Sequence, residues 1–244
     1  MNHTNESLLK RNISLTELKI DNKASLYAEQ YKLNGPYMLV YENYDFDREE
    51  AFYMTIAPGC SKCNTMHVHS DYLENRFMHQ HDYFEFMFVL HGRVTQKIEG
   101  RIYDYQEGQC CLINQNVRHV EIARENAELM FLALSNDFFF NLVRFDIHYD
   151  ESGHVVSQEN PIYDLVLKTC RAGNAPQKQY WDFTPTASPD AAVSEFEQIF
   201  GVMIRETAGR HSGLLLLVSG FAARLFSILL DSERYSLQKI TLPS

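Results

Sequence analysis

Clustered basic residues are absent from this chain of 244 residues, and its formal net charge at pH 7 is −10. Proteins that bind nucleic acid group Lys and Arg on one face, because these cations displace the counterions of the phosphates. An acidic chain without basic runs is therefore unsuited to gripping DNA with its own surface. If the protein regulates transcription, we expect DNA to be bound only through a domain that is not present in this chain.

Targeting and disulfide signals are lacking as well. Residues 1–11 are polar and contain no apolar core of the kind that a signal peptide has. The five cysteines are an odd number and do not have the spacing of a disulfide framework. These absences favour a cytoplasmic protein whose thiols stay reduced.

Long apolar runs are limited to residues 213–230. This stretch contains Ser219, Arg224 and Ser227, and its length is at the short limit for crossing a bilayer. We therefore predict a buried or interface helix here and no contact with a membrane.

Phosphate loops, nucleophile elbows and dinucleotide fingerprints do not occur in the sequence. What does occur, over residues 52–135, is a series of short apolar runs separated by turn residues such as Gly92, Gly100 and Gly108. Apolar runs repeated roughly every 8–12 residues with glycine turns predict an all-β sandwich or barrel.

Helical periodicity begins after about residue 160. A short helix is expected over residues 161–170, and Ser188-Pro189 has the composition of a helix start. One apolar stripe at helical spacing follows that start: Val193, Phe196, Phe200, Met203 and Thr207. Residues 211–232 predict a longer helix that is apolar nearly all round and must bury more than one face. We expect a homodimer in which a second copy of the chain covers these C-terminal helices.

Three histidines and one glutamate have the composition of a metal site. His79, His81 and Glu85 share one strand parity, and His119 ends a later strand. On a straight strand His81 and Glu85 would lie roughly 13 Å apart, too far for one ion, so the chain must turn near residues 82–83. These ligands suit Zn, Ni, Mn or Fe, although the same side chains can instead fix a small molecule as polar groups.

Strand parity also indicates which residues surround this site. Met87 lies on the same side as Glu85, and Gln96 lies on the next strand, so both are candidate ligand-binding residues of the pocket wall. Phe84, Phe86 and Phe88 have the opposite parity and are expected to pack into a core behind the sheet.

A second cluster of potential metal ligands precedes this site. Cys60 and Cys63 are followed by His67 and His69, but only three residues separate the two pairs. Zinc fingers usually have about 12–15 residues there, so free thiols are the favoured interpretation.

The spacing from His79 to Gly92, H-x-H-x3-E-x6-G, resembles the first motif of the cupin family, and Gly108 to His119 resembles the second. Asn116 stands where the second motif has a glycine; Asn tolerates the left-handed conformation, so it can still turn the chain. The resemblance implies a mainly β cupin (double-stranded β-helix, jelly-roll) barrel with C-terminal helices.

Over residues 36–235 the layout is similar to the sensing and dimerisation domain of AraC-type (arabinose-operon-regulator) transcription factors. That resemblance implies an N-terminal leader and barrel in residues 1–155, and a mixed segment in residues 156–244 that ends in a two-helix dimerisation region. The helix-turn-helix region of that family is missing from this sequence.

The function that the resemblance implies is binding of a small-molecule effector, with a carbohydrate as one candidate, and no enzymatic activity. The alternative is a stand-alone metal-dependent cupin enzyme of the dioxygenase or isomerase class, and a storage barrel is a third reading. The C-terminal helices favour the sensor, because a stand-alone cupin enzyme does not need them.

Overall fold

The computed structural model describes residues 19–20, 30–67, 78–144, 148–156, 161–171 and 177–242. The strands are β1 (Lys19–Ile20), β2 (Gln30–Tyr31), β3 (Tyr37–Asp45), β4 (Glu50–Ala57), β5 (Cys60–His67), β6 (Gln80–His81), β7 (Phe84–Ile98), β8 (Arg101–Gln106), β9 (Cys110–Ile113), β10 (His119–Ile122), β11 (Ala127–Leu134), β12 (His148–Tyr149), β13 (Val155–Val156), β14 (Gln179–Pro185) and β15 (Tyr235–Thr241). The helices are α1 (Asn136–Arg144), α2 (Pro161–Arg171), α3 (Pro189–Gly209) and α4 (Leu214–Leu230).

Strand β7 is the longest strand among the described residues, and it pairs with two different sets of strands. Its first half pairs with β11 and β9, and its second half pairs with β8 and β10, all antiparallel. Together with β1, β3, β4, β5, β14 and β15 these strands form one sheet, whose main path runs β1-β5-β4-β3-β11-β7-β9-β14-β15. The predicted fold class, a mainly β cupin-type barrel with C-terminal helices, is confirmed.

Gly92 lies where β7 changes partners. Its φ is +75°, and a Cβ placed on it would lie 2.1 Å from the carbonyl oxygen of Asn126. Any side chain at this position would collide with the neighbouring backbone, so only glycine lets β7 pass so close to the start of β11.

The two faces of β7 bury two different cores. Phe84, Phe86 and Phe88 are fully buried on the face that packs against the helices, where Phe88 stacks on Phe196 with ring centroids 4.2 Å apart. The predicted core role of these three phenylalanines is therefore confirmed. The other face, with Met87, belongs to a separate buried cluster inside the barrel.

Helix α3 begins at Pro189 with Ser188 at the N-cap position, although the serine side chain makes no capping hydrogen bond. The predicted apolar stripe of this helix is buried as expected. Helix α4 is shorter than predicted: it starts after Gly213, whose φ is +80°, and ends at Leu230 before the cap residue Asp231. Among the described helices, none is long and apolar enough to cross a membrane.

Strands β14 and β15 lie within the segment after residue 160, where the sequence indicated mainly helix. Strand β14 pairs with β9 on one side and β15 on the other, so both join the barrel sheet. Strands from both sides of the predicted boundary at residue 155 thus share one sheet.

Candidate functional site

The candidate site lies where the chain passes from β6 into β7. Strand β6 ends at His81, residues 82–83 form a bend, and β7 starts at Phe84. The predicted turn between His81 and Glu85 is confirmed, because it brings His81 Nε2 to 3.7 Å from Glu85 Oε1. A straight strand would have separated these two side chains.

His119 reaches the same place from β10. Its backbone forms an antiparallel bridge with that of His79, with two N–H···O hydrogen bonds of 2.9 Å. Asn116, with φ +60°, turns the chain before His119 as predicted, and its backbone N–H donates to the carbonyl of His81 at 3.0 Å. The connection before β10 is therefore bonded directly to the histidine pair.

The four predicted ligands meet around the carboxylate of Glu85. His119 Nε2 lies 3.0 Å from Glu85 Oε1. The ring centroid of His119 is 4.3 Å from that of His79 and 4.9 Å from that of His81. His81, Glu85 and His119 are buried, whereas His79 is partly exposed. The structure thus brings these side chains together, and their role as metal ligands stays a prediction.

Backbone carbonyls orient two of the imidazoles. His81 Nδ1 lies 2.8 Å from the carbonyl oxygen of Tyr83, and His119 Nδ1 lies 3.0 Å from that of Val117. A carbonyl oxygen only accepts hydrogen bonds, so each Nδ1 is assigned the hydrogen and each Nε2 is turned toward Glu85. Imidazoles that bind a metal are commonly fixed by such a bond from their other ring nitrogen.

Electrostatic coupling shifts the pKa values of the cluster. Burial would raise the pKa of Glu85, but the charge of His81 and the hydrogen bond and charge of His119 outweigh it and hold the value well below the usual range. Burial likewise would lower the pKa of His119, but the hydrogen bond and charge of Glu85 raise it to about 9. Burial and the neighbouring His119 lower the pKa of His79 to about 4.

Glu121 is a member of the cluster that the sequence reading missed. It lies two residues after His119 in β10, so both side chains project from the same face of the strand. Glu121 is 3% exposed, and its Oε1 is 3.7 Å from His119 Nε2. The alternation of His119, Val120 and Glu121 along the strand is the sequence signal for it, but the motif that resembles the second cupin motif ends at His119.

The two candidate pocket-wall residues have different surroundings. The placement of Gln96 on a following strand was wrong, because β7 continues through Gly92 and carries both Met87 and Gln96. Gln96 is buried in the cluster, where its Nε2 donates to Glu121 Oε1 at 3.0 Å and its Oε1 accepts from the Cys111 thiol at 3.2 Å. Met87 is fully buried among the apolar side chains of the barrel interior. Their contact with a ligand stays a prediction.

A second polar pair joins strands β8 and β14 of the barrel. The Tyr105 hydroxyl donates to Asp182 Oδ1. Burial raises the pKa of Asp182 to about 6, although the hydrogen bond from Tyr105 acts in the opposite direction. This pair lies outside the predicted ligand set.

The hypothesis of a second metal site at Cys60, Cys63, His67 and His69 falls largely outside the described residues. Only the side chain of Cys60 is described, and it is exposed.

The main cluster fits a divalent transition metal. Imidazole nitrogens and carboxylate oxygens are suitable donors for such ions. His81 Nε2 is buried and has no hydrogen-bond partner, a costly arrangement that a metal–nitrogen bond would relieve. Donor atoms of His79, Glu85, His119 and Glu121 lie within 4.8 Å of one another.

Comparison with known proteins gives one family match. Residues 66–181 match a family model described as the AraC-like ligand binding domain, and every predicted site residue falls within that range. The sequence matched none of the curated proteins with which it was compared.

Several solved structures are weakly similar to parts of this chain. ToxT from Vibrio cholerae, in a crystal structure with bound unsaturated fatty acid, is 13% identical over 79% of this chain and 54% of that chain, with a TM-score of 0.36. Protein NMB1881 from Neisseria meningitidis is 14% identical over 39% of this chain and 82% of that chain, with a TM-score of 0.25. A variant of oxalate decarboxylase from Bacillus subtilis is 15% identical over 41% of this chain and 26% of that chain, with a TM-score of 0.24. Similarities this low support no inference about function.

Proposed function

Because residues 66–181 match the family model of the AraC-like ligand binding domain, we propose that this chain is the effector-sensing and dimerisation part of an AraC-type transcriptional regulator acting in the cytoplasm. The observation that carries the proposal is the buried cluster of His81, Glu85, His119 and Glu121 inside the barrel. Polar groups gathered in an otherwise apolar interior are typical of a small-molecule site. A carbohydrate is the effector class that we favour, because its hydroxyl groups can pair with carboxylate and imidazole groups.

A divalent metal is the second part of the proposal. His79, His81, Glu85 and His119 would hold Zn, Ni, Mn or Fe, with the Nδ1 bonds of His81 and His119 fixing the two rings. When bound, the ion would act as a Lewis acid toward oxygen atoms of the effector. The protein side chains orient these donors and keep bulk water away from them, since three of the four are buried.

Strand β7 provides a physical route from the site to the helices. Glu85 faces the histidines, whereas Phe86 faces the helices and lies 6.3 Å from Phe196 and 6.0 Å from Phe226 between ring centroids. A ligand that shifts β7 would therefore repack α3 and α4 as well. Coupling energies of about 1–3 kcal/mol are typical of such linked sites.

The C-terminal helices supply the proposed dimer surface. Leu216 on α4 is 82% exposed and Leu215 is 48% exposed. An apolar groove of about 410 Å³ runs beside them between α1 and α4, and Phe138, Leu142 and Leu230 contribute to its walls. Exposed apolar area of this kind commonly marks an interface, and a second copy of the chain is the occupant that we propose.

Effector binding is tested by calorimetric titration of untagged protein with a panel of mono- and disaccharides, each with and without added metal. We expect at least one sugar to bind to the wild type, and binding to be lost in Glu85→Gln but kept in the exposed control Glu125→Gln. Binding that is equal in Glu85→Gln would contradict the assignment of the site.

The metal-dependent enzyme remains the competing function, because the same donor set can serve catalysis. Assays of the metal-loaded protein with oxidisable and isomerisable cupin substrates separate the two. If the protein is a sensor, we expect ligand binding without turnover. Turnover that disappears in His81→Ala would favour the enzyme hypothesis instead.

A further inference from the structure

We propose that Glu121 supplies a second carboxylate to the metal site, which thereby binds its cation through two carboxylates together with imidazoles. This inference rests on the proposed metal function and extends the ligand set beyond the three histidines and Glu85.

The geometry comes from the pairing of β10 with β7. His119 and Glu121 lie two residues apart on β10, opposite Ile98 and Gln96 of β7. This register points both side chains into the barrel beside Glu85, and the donor atoms of His79, Glu85, His119 and Glu121 lie within 4.8 Å of one another. One ion can therefore reach atoms of all four residues after small adjustments, since metal–ligand bonds are about 2.0–2.2 Å long.

The burial of the two carboxylates supplies the second argument. Glu85 is 8% exposed and Glu121 is 3% exposed. Ionised carboxylates that are removed from water require positive charge nearby, and His119 supplies such charge when no ion is bound. A divalent cation matches two carboxylates in charge while every imidazole stays neutral, which is the state in which imidazole binds metals.

An orphaned nitrogen is an independent indication that a ligand belongs here. His81 is fully buried, and its Nε2 has no hydrogen-bond partner while it faces Glu85 Oε1 at 3.7 Å. Because Nδ1 of the same ring is bonded to the carbonyl of Tyr83, Nε2 is the ring nitrogen that remains for a ligand on the side of Glu85.

Gln96 holds Glu121 in this position. Its Nε2 donates to Glu121 Oε1, and its own Oε1 accepts from the thiol of Cys111. Gln96 is thus a positioning residue of the kind that orients ligating carboxylates.

A second carboxylate changes which ions the site prefers. Carboxylate oxygen suits Mn²⁺ well, whereas imidazole suits Zn²⁺. Removing the charge of Glu121 should therefore weaken Mn²⁺ binding more than Zn²⁺ binding.

The test is calorimetric titration of Mn²⁺ and of Zn²⁺ into the untagged, chelator-stripped 244-residue chain. Glu121→Gln keeps the size of the side chain and an oxygen that Gln96 can reach. Glu121→Asp keeps the negative charge but moves the carboxylate away from the metal site, because its side chain is one methylene shorter. Glu125→Gln, an exposed glutamate in the loop before β11, is the matched control. Circular dichroism and thermal melting establish that each variant is folded.

We expect Glu121→Gln to weaken Mn²⁺ binding by at least the ~10–100-fold that outer-shell partners contribute, with a smaller loss for Zn²⁺. We expect metal binding by Glu121→Asp to be weakened as well, and Glu125→Gln to match the wild type.

If Glu121→Gln binds metal as tightly as the wild type does, the role of Glu121 is overturned while the proposed function stays intact. If Glu121→Asp binds the metal with full affinity, Glu121 acts only through its charge at a distance, and its role as a ligand is overturned. A wild type that binds neither ion overturns both the proposed metal site and this inference. If Glu121→Gln is unfolded, the metal affinity of the folded Glu121→Asp variant tests the role of Glu121.

Discussion

Glu85 and Phe86 are adjacent in β7 and face opposite layers of the protein. The carboxylate of Glu85 lies 3.0 Å from His119 Nε2 inside the barrel, and the ring of Phe86 packs against Phe196 and Phe226 of the helices. The strand therefore joins the candidate ligand site to the helical layer through neighbouring residues. This alternation is the structural basis for the proposed coupling between effector binding and the C-terminal helices.

The helical layer depends on the stack of Phe88 and Phe196, whose ring planes are inclined by 9°. Phe88→Ala should lower the free energy of unfolding by about 3–5 kcal/mol, because it removes a buried ring and leaves a cavity. Urea denaturation followed by circular dichroism measures the change. Ile102→Ala, at a 69% exposed position on β8, is the control and should change stability by less than about 0.5 kcal/mol. Equal losses in both variants would contradict the assigned core.

Two glycines with similar φ but different surroundings test the close approach at Gly92. Gly92→Ala places a Cβ 2.1 Å from the Asn126 carbonyl oxygen, whereas Gly100, with φ +84°, has no heavy atom within 4 Å of the added Cβ. We expect Gly100→Ala to lose about 1–2 kcal/mol from backbone strain alone, and Gly92→Ala to lose considerably more. Thermal melts of the two variants make the comparison, and similar melting temperatures would disprove the close approach.

The turn at residues 82–83, the two buried faces of β7 and helix α3 could be predicted from local sequence. One ion cannot bind His81 and Glu85 on a straight strand, so the turn followed from chemistry, and period-two alternation identified the buried face of Phe84, Phe86 and Phe88. The positions of β14 and β15 could not be predicted in this way, because β14 pairs with β9, which is distant in sequence, and strand formation depends on such non-local packing. Glu121 was missed for a different reason: its role depends on β10 continuing past His119.

Asp182 predicts a pH dependence of stability. Burial raises its folded-state pKa from 3.8 to about 6, so between about pH 4 and 6 the folded state binds the proton more tightly than the unfolded state. This contribution is fully present below about pH 4 and is lost as the pH rises through 6. Asp182→Asn keeps an oxygen that can accept the Tyr105 hydrogen bond and removes the cost of the buried charge.

The Asp182→Asn variant should therefore gain stability relative to the wild type as the pH rises, reaching about 1–2 kcal/mol at pH 7 after allowance for partial solvent screening. Urea unfolding at pH 4, 5, 6 and 7 measures the difference. A difference that does not change across this range would show that the carboxyl is not perturbed in the folded state.

The proposed dimer predicts a change of mass on substitution in α4. Leu216→Glu introduces a charge into the exposed apolar surface beside the α1–α4 groove, and a buried unpaired charge strongly opposes association. Light scattering at micromolar concentration should give a dimer for the wild type and a monomer for Leu216→Glu. Ile102→Glu, on the barrel, should remain dimeric; a monomeric wild type would refute the interface.

Metal analysis of untagged protein tests most directly whether the cluster around Glu85 is a metal-dependent ligand site. We expect about one divalent transition ion per wild-type chain, retained in Glu125→Gln and lost in a Glu85→Gln variant that still folds. Wild-type protein that contains no such ion, and whose melting temperature does not rise on addition of Zn²⁺, Mn²⁺, Ni²⁺ or Fe²⁺, would contradict it.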